Sequence, residues 1–173
     1  MLRRDPFANT DRLIRRIYSY VAYRIGDGAD AEDVTSAVFE RALQYRDSYD
    51  ARRGEPISWL IGIARREINS FLASRPVLTT GHVEQPDLHD RTANADARLD
   101  LAAALRRLDE RDQEVLALRY GSDLTAREIG ALLGKKPNAI EVMIHRALER
   151  LRRELEPAET PQEAPVFRTA AAP

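Results

Sequence analysis

Three features of the sequence predict an all-α protein made of two small helical domains joined by a flexible linker. Apolar residues recur at three- and four-residue spacing through most of the chain, which is the pattern of helices that bury one face. The first 75 residues contain almost none of the Val/Thr/Tyr alternation expected of strands. Residues 75–97 hold two prolines, a glycine and two histidines and carry no apolar stripe, a composition suited to a connector. The 173 residues are 43% apolar, enough for folded cores, and 32% charged, above the roughly 25% of an average domain.

The first expected helix covers residues 11–25, with Leu13, Ile14, Ile17, Tyr18, Val21 and Ile25 on one stripe. Gly26-Asp27-Gly28 ends it, because glycine tolerates the left-handed backbone of a helix stop. Asp30 reads as the next N-cap, with Glu32 and Asp33 facing the positive end of a helix over 31–45. Its apolar face is Val34, Val38, Ala42 and Tyr45. Residues 46–56 form a polar loop, and Pro56 suits the first turn of a helix over 57–73, where no amide donor is needed. Ile57, Leu60, Ile61, Ala64, Ile68, Phe71 and Leu72 are the buried positions expected there.

Helical patterning resumes at Leu99. Leu101, Leu105 and Leu108 mark one helix, and Val115, Leu116 and Leu118 the next. Thr125-Ala-Arg-Glu128 is a capping-box pattern that opens a short helix, with Ile129, Leu132 and Leu133 apolar, ending at Gly134. Asn138 opens a longer helix carrying Ile140, Ile144, Leu148, Leu151 and Leu155. The tail, rich in Pro, Ala and Glu, is expected to be disordered. The expected domains are 1–76 and 99–155, with a linker over 77–98 and a tail over 156–173.

Composition narrows the function. Without cysteine there is no disulfide framework and no thiolate metal site. No apolar run approaches the roughly 18 residues of a membrane span, and the amino terminus leads into no apolar stretch. A cytoplasmic protein without membrane insertion is therefore expected. None of the three histidines (82, 89, 145) has ligand spacing to a second metal-binding residue, and no glycine loop could cradle phosphates. No catalytic constellation, metal or cofactor is expected.

The net charge of −1 is unevenly distributed: +2 over residues 1–76, −3 over 77–100, +2 over 101–155 and −2 over 156–173. Residues 135–153 alone carry +4, and polyanion binding follows such local patches more than the total. A capped short helix, a glycine-containing turn and a second amphipathic helix form a helix-turn-helix candidate. Lys135 and Lys136 flank the start of the second helix, which favours phosphate, and Arg146, Arg150, Arg152 and Arg153 extend the strip. Asn138, Glu141, Val142, Met143 and His145 stand where a recognition helix would meet base edges. An ordinary helical hairpin with a solvated basic face would carry the same pattern.

In the first half, Asp30, Glu32, Asp33 and Glu40 lie beside Phe39 and Leu43. They form either an acidic, apolar docking face for a basic partner or an ordinary capped helix with its core. Tyr49, Arg52, Arg53 and Trp59, followed by Arg65, Arg66 and Asn69, interleave cations with aromatics, which suits single-stranded nucleic acid. A solvated loop beside a core tryptophan is the alternative.

Taken in order, these pieces resemble the extracytoplasmic-function sigma factors of the sigma-70 family. Asp30-Ala-Glu-Asp-Val and Val38-Phe-Glu-Arg-Ala-Leu43 resemble region 2.2, and Ser58-Trp-Leu-Ile-Gly-Ile-Ala-Arg65 resembles the start of the region 2.3–2.4 helix. Leu108–Tyr120, Thr125–Gly134 and Ala139–Leu148 resemble region 4. The resemblance implies a region 2 bundle and a region 4 helix-turn-helix. It implies that Asp30, Glu32, Asp33, Phe39 and Glu40 bind the β′ clamp helices of core RNA polymerase. It further implies that the 46–59 loop, with Arg65, Arg66 and Asn69, captures the melted non-template strand at the minus-ten element. Region 4 (Lys135, Lys136, Asn138, Glu141, Val142, His145, Arg146, Arg150) would read the minus-thirty-five duplex and touch the β flap. An anti-sigma factor is the implied antagonist. Arg66 stands where many relatives have Asn, and Glu141 where many have Lys or Arg, so no promoter sequence is implied. The competing reading is a helix-turn-helix regulator that binds duplex DNA without engaging core polymerase; a third is an adaptor.

Overall fold

The computed structural model describes residues 6–74 and 93–156. Every regular element among these residues is helical, and no strand occurs among them. Helix α1 spans Thr10–Ile25, α2 Ala29–Gln44 and α3 Pro56–Ser74, with a 3-10 turn at Arg46–Ser48 between α2 and α3. In the second half, α4 spans Ala93–Arg107, α5 Glu110–Leu116, α6 Ala126–Leu133 and α7 Pro137–Leu155. A π-helical turn, Ala117–Gly121, follows α5.

Most of the expected punctuation is present. Gly26 closes α1 at φ 98°, and Pro56 is the first residue of α3. Thr125 and Glu128 form a complete capping box on α6, which stops at Gly134 in the left-handed conformation. Asp109 caps α5 by accepting from the Asp112 amide at 2.8 Å.

Other expectations need correction. Gly28, not Asp30, precedes the first residue of α2, so Asp30 lies inside the first turn beside Glu32. Tyr45 ends α2 and is exposed rather than core, and Ile14, Leu72, Leu99, Leu101, Leu148 and Leu155 are exposed as well. Asn138 is the second residue of α7 and does not open it, because Pro137 takes the first position. Helix α4 begins at Ala93, so residues 93–98, expected as linker, are helical. The rest of the expected linker and residues 157–173 of the tail lie outside the described residues.

The core is one continuous apolar cluster drawn from both halves. Ile17, Val38, Leu60 and Ile61 come from the first, and Leu118, Leu124, Ile129 and Ile140 from the second. All eight are fully buried or nearly so. Each such side chain contributes roughly 1.5–3 kcal/mol relative to an exposed one. Helix α1 is the seam. One side packs on α2 and α3; the other packs on the π-helical turn, α4 and α5. A wider stripe than the sequence pattern suggests makes this possible: Tyr20 and Arg24 are buried along with Leu13, Ile17 and Val21.

Candidate nucleic-acid interface

The candidate residues fall on three surfaces. On α2, Asp30, Glu32, Asp33 and Glu40 are exposed, while Phe39 is half-buried against the core. Leu43 projects nearby at 60% exposure. On the same helix, Arg41 pairs with Glu67 of α3 at 3.0 Å, beside the apolar contacts that pack the two helices. The result is a surface that is acidic at the helix start and apolar further along.

The loop between α2 and α3 forms the second surface. Tyr49 is buried, its ring 5.5 Å from that of Trp59 and tilted by 52°. Its hydroxyl donates to the Gly54 carbonyl at 3.1 Å, closing the loop on itself. Phe7 meets Trp59 edge-on at 6.4 Å. Trp59 is thus held between two rings, and Tyr49 shapes the loop instead of presenting a face to solvent. Arg52 grips the Asp50 carboxylate through Nε (3.0 Å) and Nη2 (2.9 Å). The hydrogen bonds from Arg52 pull that carboxyl down to about 2. Arg53 and Arg66 are exposed.

Beside Trp59 lies a groove of about 380 Å³ lined by Arg41, Tyr45, Ile63, Arg66 and Glu67 among others. Its size suits one nucleobase. Tyr45, assigned to the core from the sequence pattern, contributes an exposed ring here. Arg65 and Asn69 lie elsewhere, on a larger cleft of about 690 Å³ toward the second half. The expected minus-ten set is therefore split between two faces of α3.

The third surface is α7. Lys135, Lys136, Asn138, Glu141, Val142, His145 and Arg146 are all exposed, as a recognition helix requires. Met143, grouped with them in the sequence, is half-buried against the core instead. Lys136 precedes the helix without a side-chain cap, and its carbonyl accepts from the amides of Ala139 at 3.0 Å and Ile140 at 3.2 Å. His145 approaches Glu149 at 3.4 Å. Arg150 is engaged differently: it hydrogen-bonds the buried carboxylate of Asp112 on α5. The turn between α6 and α7 depends on Gly130, where a Cβ would lie 2.6 Å from the Lys135 carbonyl oxygen.

Sequence reasoning missed Tyr20, Arg24 and Glu114. The Tyr20 hydroxyl donates to the Glu114 carboxylate at 3.0 Å, and Arg24 reaches the same group at 2.8 Å. Burial, reinforced by the Glu114 charge, pushes the Tyr20 phenol far up. The available signal was the spacing of Leu13, Ile17, Tyr20 and Arg24, which continues one helical face.

Comparison with known proteins agrees with this geometry. The profile for sigma-70 region 2 matches residues 10–75, and that for sigma-70 region 4 matches residues 98–151. The ECF RNA polymerase sigma factor BldN of Streptomyces coelicolor is 32% identical over 152 residues, which cover 83% of this chain and 57% of BldN. The chain thus spans a little over half the length of that relative. The RNA polymerase sigma factor CarQ of Myxococcus xanthus is 30% identical over 147 residues, covering 79% of this chain and 81% of CarQ. Among solved structures, the sigma factor RpoE of Bartonella quintana, in complex with the anti-sigma factor NepR, shares the fold. Its TM-score is 0.64 at 20% identity, covering 83% of this chain and 91% of that one. The chain belongs to the sigma-70 family, among its extracytoplasmic-function sigma factors.

Proposed function

We propose that this chain binds core RNA polymerase, brings it to specific promoters and opens the duplex there. The observation that carries this reading is the pairing, in one small bundle, of an acidic and apolar α2 face with an arginine-lined groove beside Trp59. A regulator that only bound duplex DNA would need neither. Asp30, Glu32, Asp33, Phe39 and Glu40 are the proposed contacts to the polymerase β′ clamp helices.

The groove of Tyr45, Trp59 and Arg66, with Arg53 at the loop, is the proposed seat of an unpaired base of the non-template strand. Stacking on an aromatic side chain contributes about 1–3 kcal/mol per base. That offsets the few kcal/mol needed to unstack the base from the duplex. Melting then follows from tighter binding of the unpaired strand than of the paired one, with no covalent step. Arg52, held by Asp50, acts by shaping the loop. Arg65 and Asn69 join the DNA surface only when the large cleft is open.

On region 4, Lys135, Lys136 and Arg146 are the proposed phosphate contacts. Asn138, Glu141, Val142 and His145 face the minus-thirty-five bases. The β flap is the proposed second polymerase contact, and an anti-sigma factor like that of the Bartonella fold relative is the proposed antagonist. No described helix is long and apolar enough to cross a membrane, which fits a protein working beside polymerase in the cytoplasm.

The test is run-off transcription with purified core polymerase on genomic fragments, with and without the protein. New defined start sites are expected. Tyr45→Ala with Arg66→Ala should lower open-complex formation about tenfold, equivalent to 1.4 kcal/mol, while core binding holds. Protein that shifts duplex DNA yet neither binds nor redirects polymerase would instead establish the regulator reading.

A further inference from the structure

We propose that Glu114 is a latch that holds the two halves of this chain in a closed form, and that this form cannot engage both promoter elements at once. The effect on transcription rests on the sigma-factor reading above; the closed form itself does not.

Three independent contacts cross the seam. First, the Glu114 carboxylate of α5 receives Tyr20 Oη at 3.0 Å, Arg24 Nη1 at 2.8 Å and Arg65 Nε at 3.2 Å. Arg24 also donates to the Glu110 carbonyl at 3.2 Å and pairs with its carboxylate at 3.3 Å. Second, Arg16 donates from Nε to the Ser122 carbonyl at 2.6 Å and from Nη2 to the Asp123 carbonyl at 3.1 Å. Third, the backbone of Gly121 lies against α1 so closely that a Cβ there would sit 2.9 Å from Tyr20 Cα. Only glycine fits.

The closed form is incompatible with reading two promoter elements at once. Arg65 and Asn69 of α3 share the 690 Å³ cleft with Lys135 and Met143 of the helix-turn-helix. Leu132 of α6 also reaches the pocket formed by Tyr49, Arg53 and Trp59. Elements centred near minus ten and minus thirty-five lie on the order of 80 Å apart along a duplex, at about 3.4 Å per base pair. A chain whose α3 is ion-paired to α5 cannot span that distance.

The chemistry of the latch suits a reversible switch. The Arg24 side chain is 4% exposed and that of Glu114 13%. Burying such a pair costs desolvation that nearly cancels its attraction, so the pair dictates geometry more than it adds stability. Arg24 Nε is buried with no acceptor, which weakens the closed side further. Opening returns every one of these groups to water. A partner that binds the open form can therefore shift the balance.

The experiment uses the full chain and two chemically unrelated variants, Glu114→Gln and Gly121→Ala. Circular dichroism checks that each is folded, and small-angle scattering reads the shape of the free protein. Wild type should be compact, and both variants should have a radius of gyration larger by about 3 Å or more, since compactness fixes that radius for a given length. Equal radii for wild type and both folded variants would overturn the latch. In run-off assays with limiting protein, the variants should exceed wild type by about threefold, because apparent affinity scales with the competent fraction. Opened variants that initiate no better than wild type on an engaged polymerase would overturn the inhibitory role. If neither wild type nor variants engage polymerase while the radii still differ, the sigma-factor reading fails and the closed form stands.

Discussion

Arg150 of α7 hydrogen-bonds the buried carboxylate of Asp112 on α5, so a cation that belongs by sequence to the DNA-facing strip ties two helices of region 4 together. Asp112 in turn raises the affinity of that guanidinium for its proton, through the hydrogen bond first and the charge second. Its neighbours Lys135, Lys136 and Arg146 remain exposed.

This pair predicts an asymmetry. Arg150→Ala leaves a buried carboxylate without its partner, whereas Asp112→Ala lets a half-exposed arginine turn to water. Thermal unfolding should therefore show the larger loss of midpoint for Arg150→Ala. A phosphate contact would behave otherwise. Its removal would leave the midpoint alone and reduce the salt slope of duplex binding by about one.

The helix-turn-helix depends on close backbone approach. Because a Cβ at residue 130 would collide with the Lys135 carbonyl, Gly130→Ala must push α6 and the turn apart. Urea unfolding should report a loss of about 1–3 kcal/mol, the usual cost of overpacking. Duplex affinity should fall with it, as α7 is misplaced relative to α6.

The capping box of α6 predicts a pH dependence. Hydrogen bonds from Thr125 hold the Glu128 carboxyl below its ordinary value of 4.5. Its contribution is therefore complete above that value and is lost as pH falls through the lowered one. At about pH 7, Glu128→Ala should cost roughly 1 kcal/mol, typical of a lost cap. Denaturation of both proteins at about pH 3 should show that gap closing.

Trp59 is the single tryptophan of the chain, so its fluorescence reads the loop directly. Tyr49→Phe keeps the ring pair but removes the bond to Gly54 and should cost about 1 kcal/mol with little change in emission. Tyr49→Ala uncovers the indole and should shift its emission to the red. A single-stranded oligonucleotide of the minus-ten region should alter the emission of wild type and Tyr49→Phe, but much less that of Tyr49→Ala.

The sequence by itself determined the local structure. Apolar spacing specified seven helices, Thr125 and Glu128 announced their capping box, and Gly26, Pro56 and Gly134 marked helix ends where the backbone obeys them. These are short-range effects, decided by each residue and its neighbours within one or two turns. The motif order also carried the family, since sigma-70 regions 2 and 4 match the two periodic halves. What only the tertiary structure decided was which exposed-looking groups have partners. Tyr20 and Arg24 meet Glu114 some ninety residues away, Arg150 meets Asp112 across two helices, and Gly121 meets the α1 backbone. Arginine and glutamate look the same in a sequence whether they face water or each other. Only the packing of α1 between the two halves removes the water and makes Glu114 the point where they join.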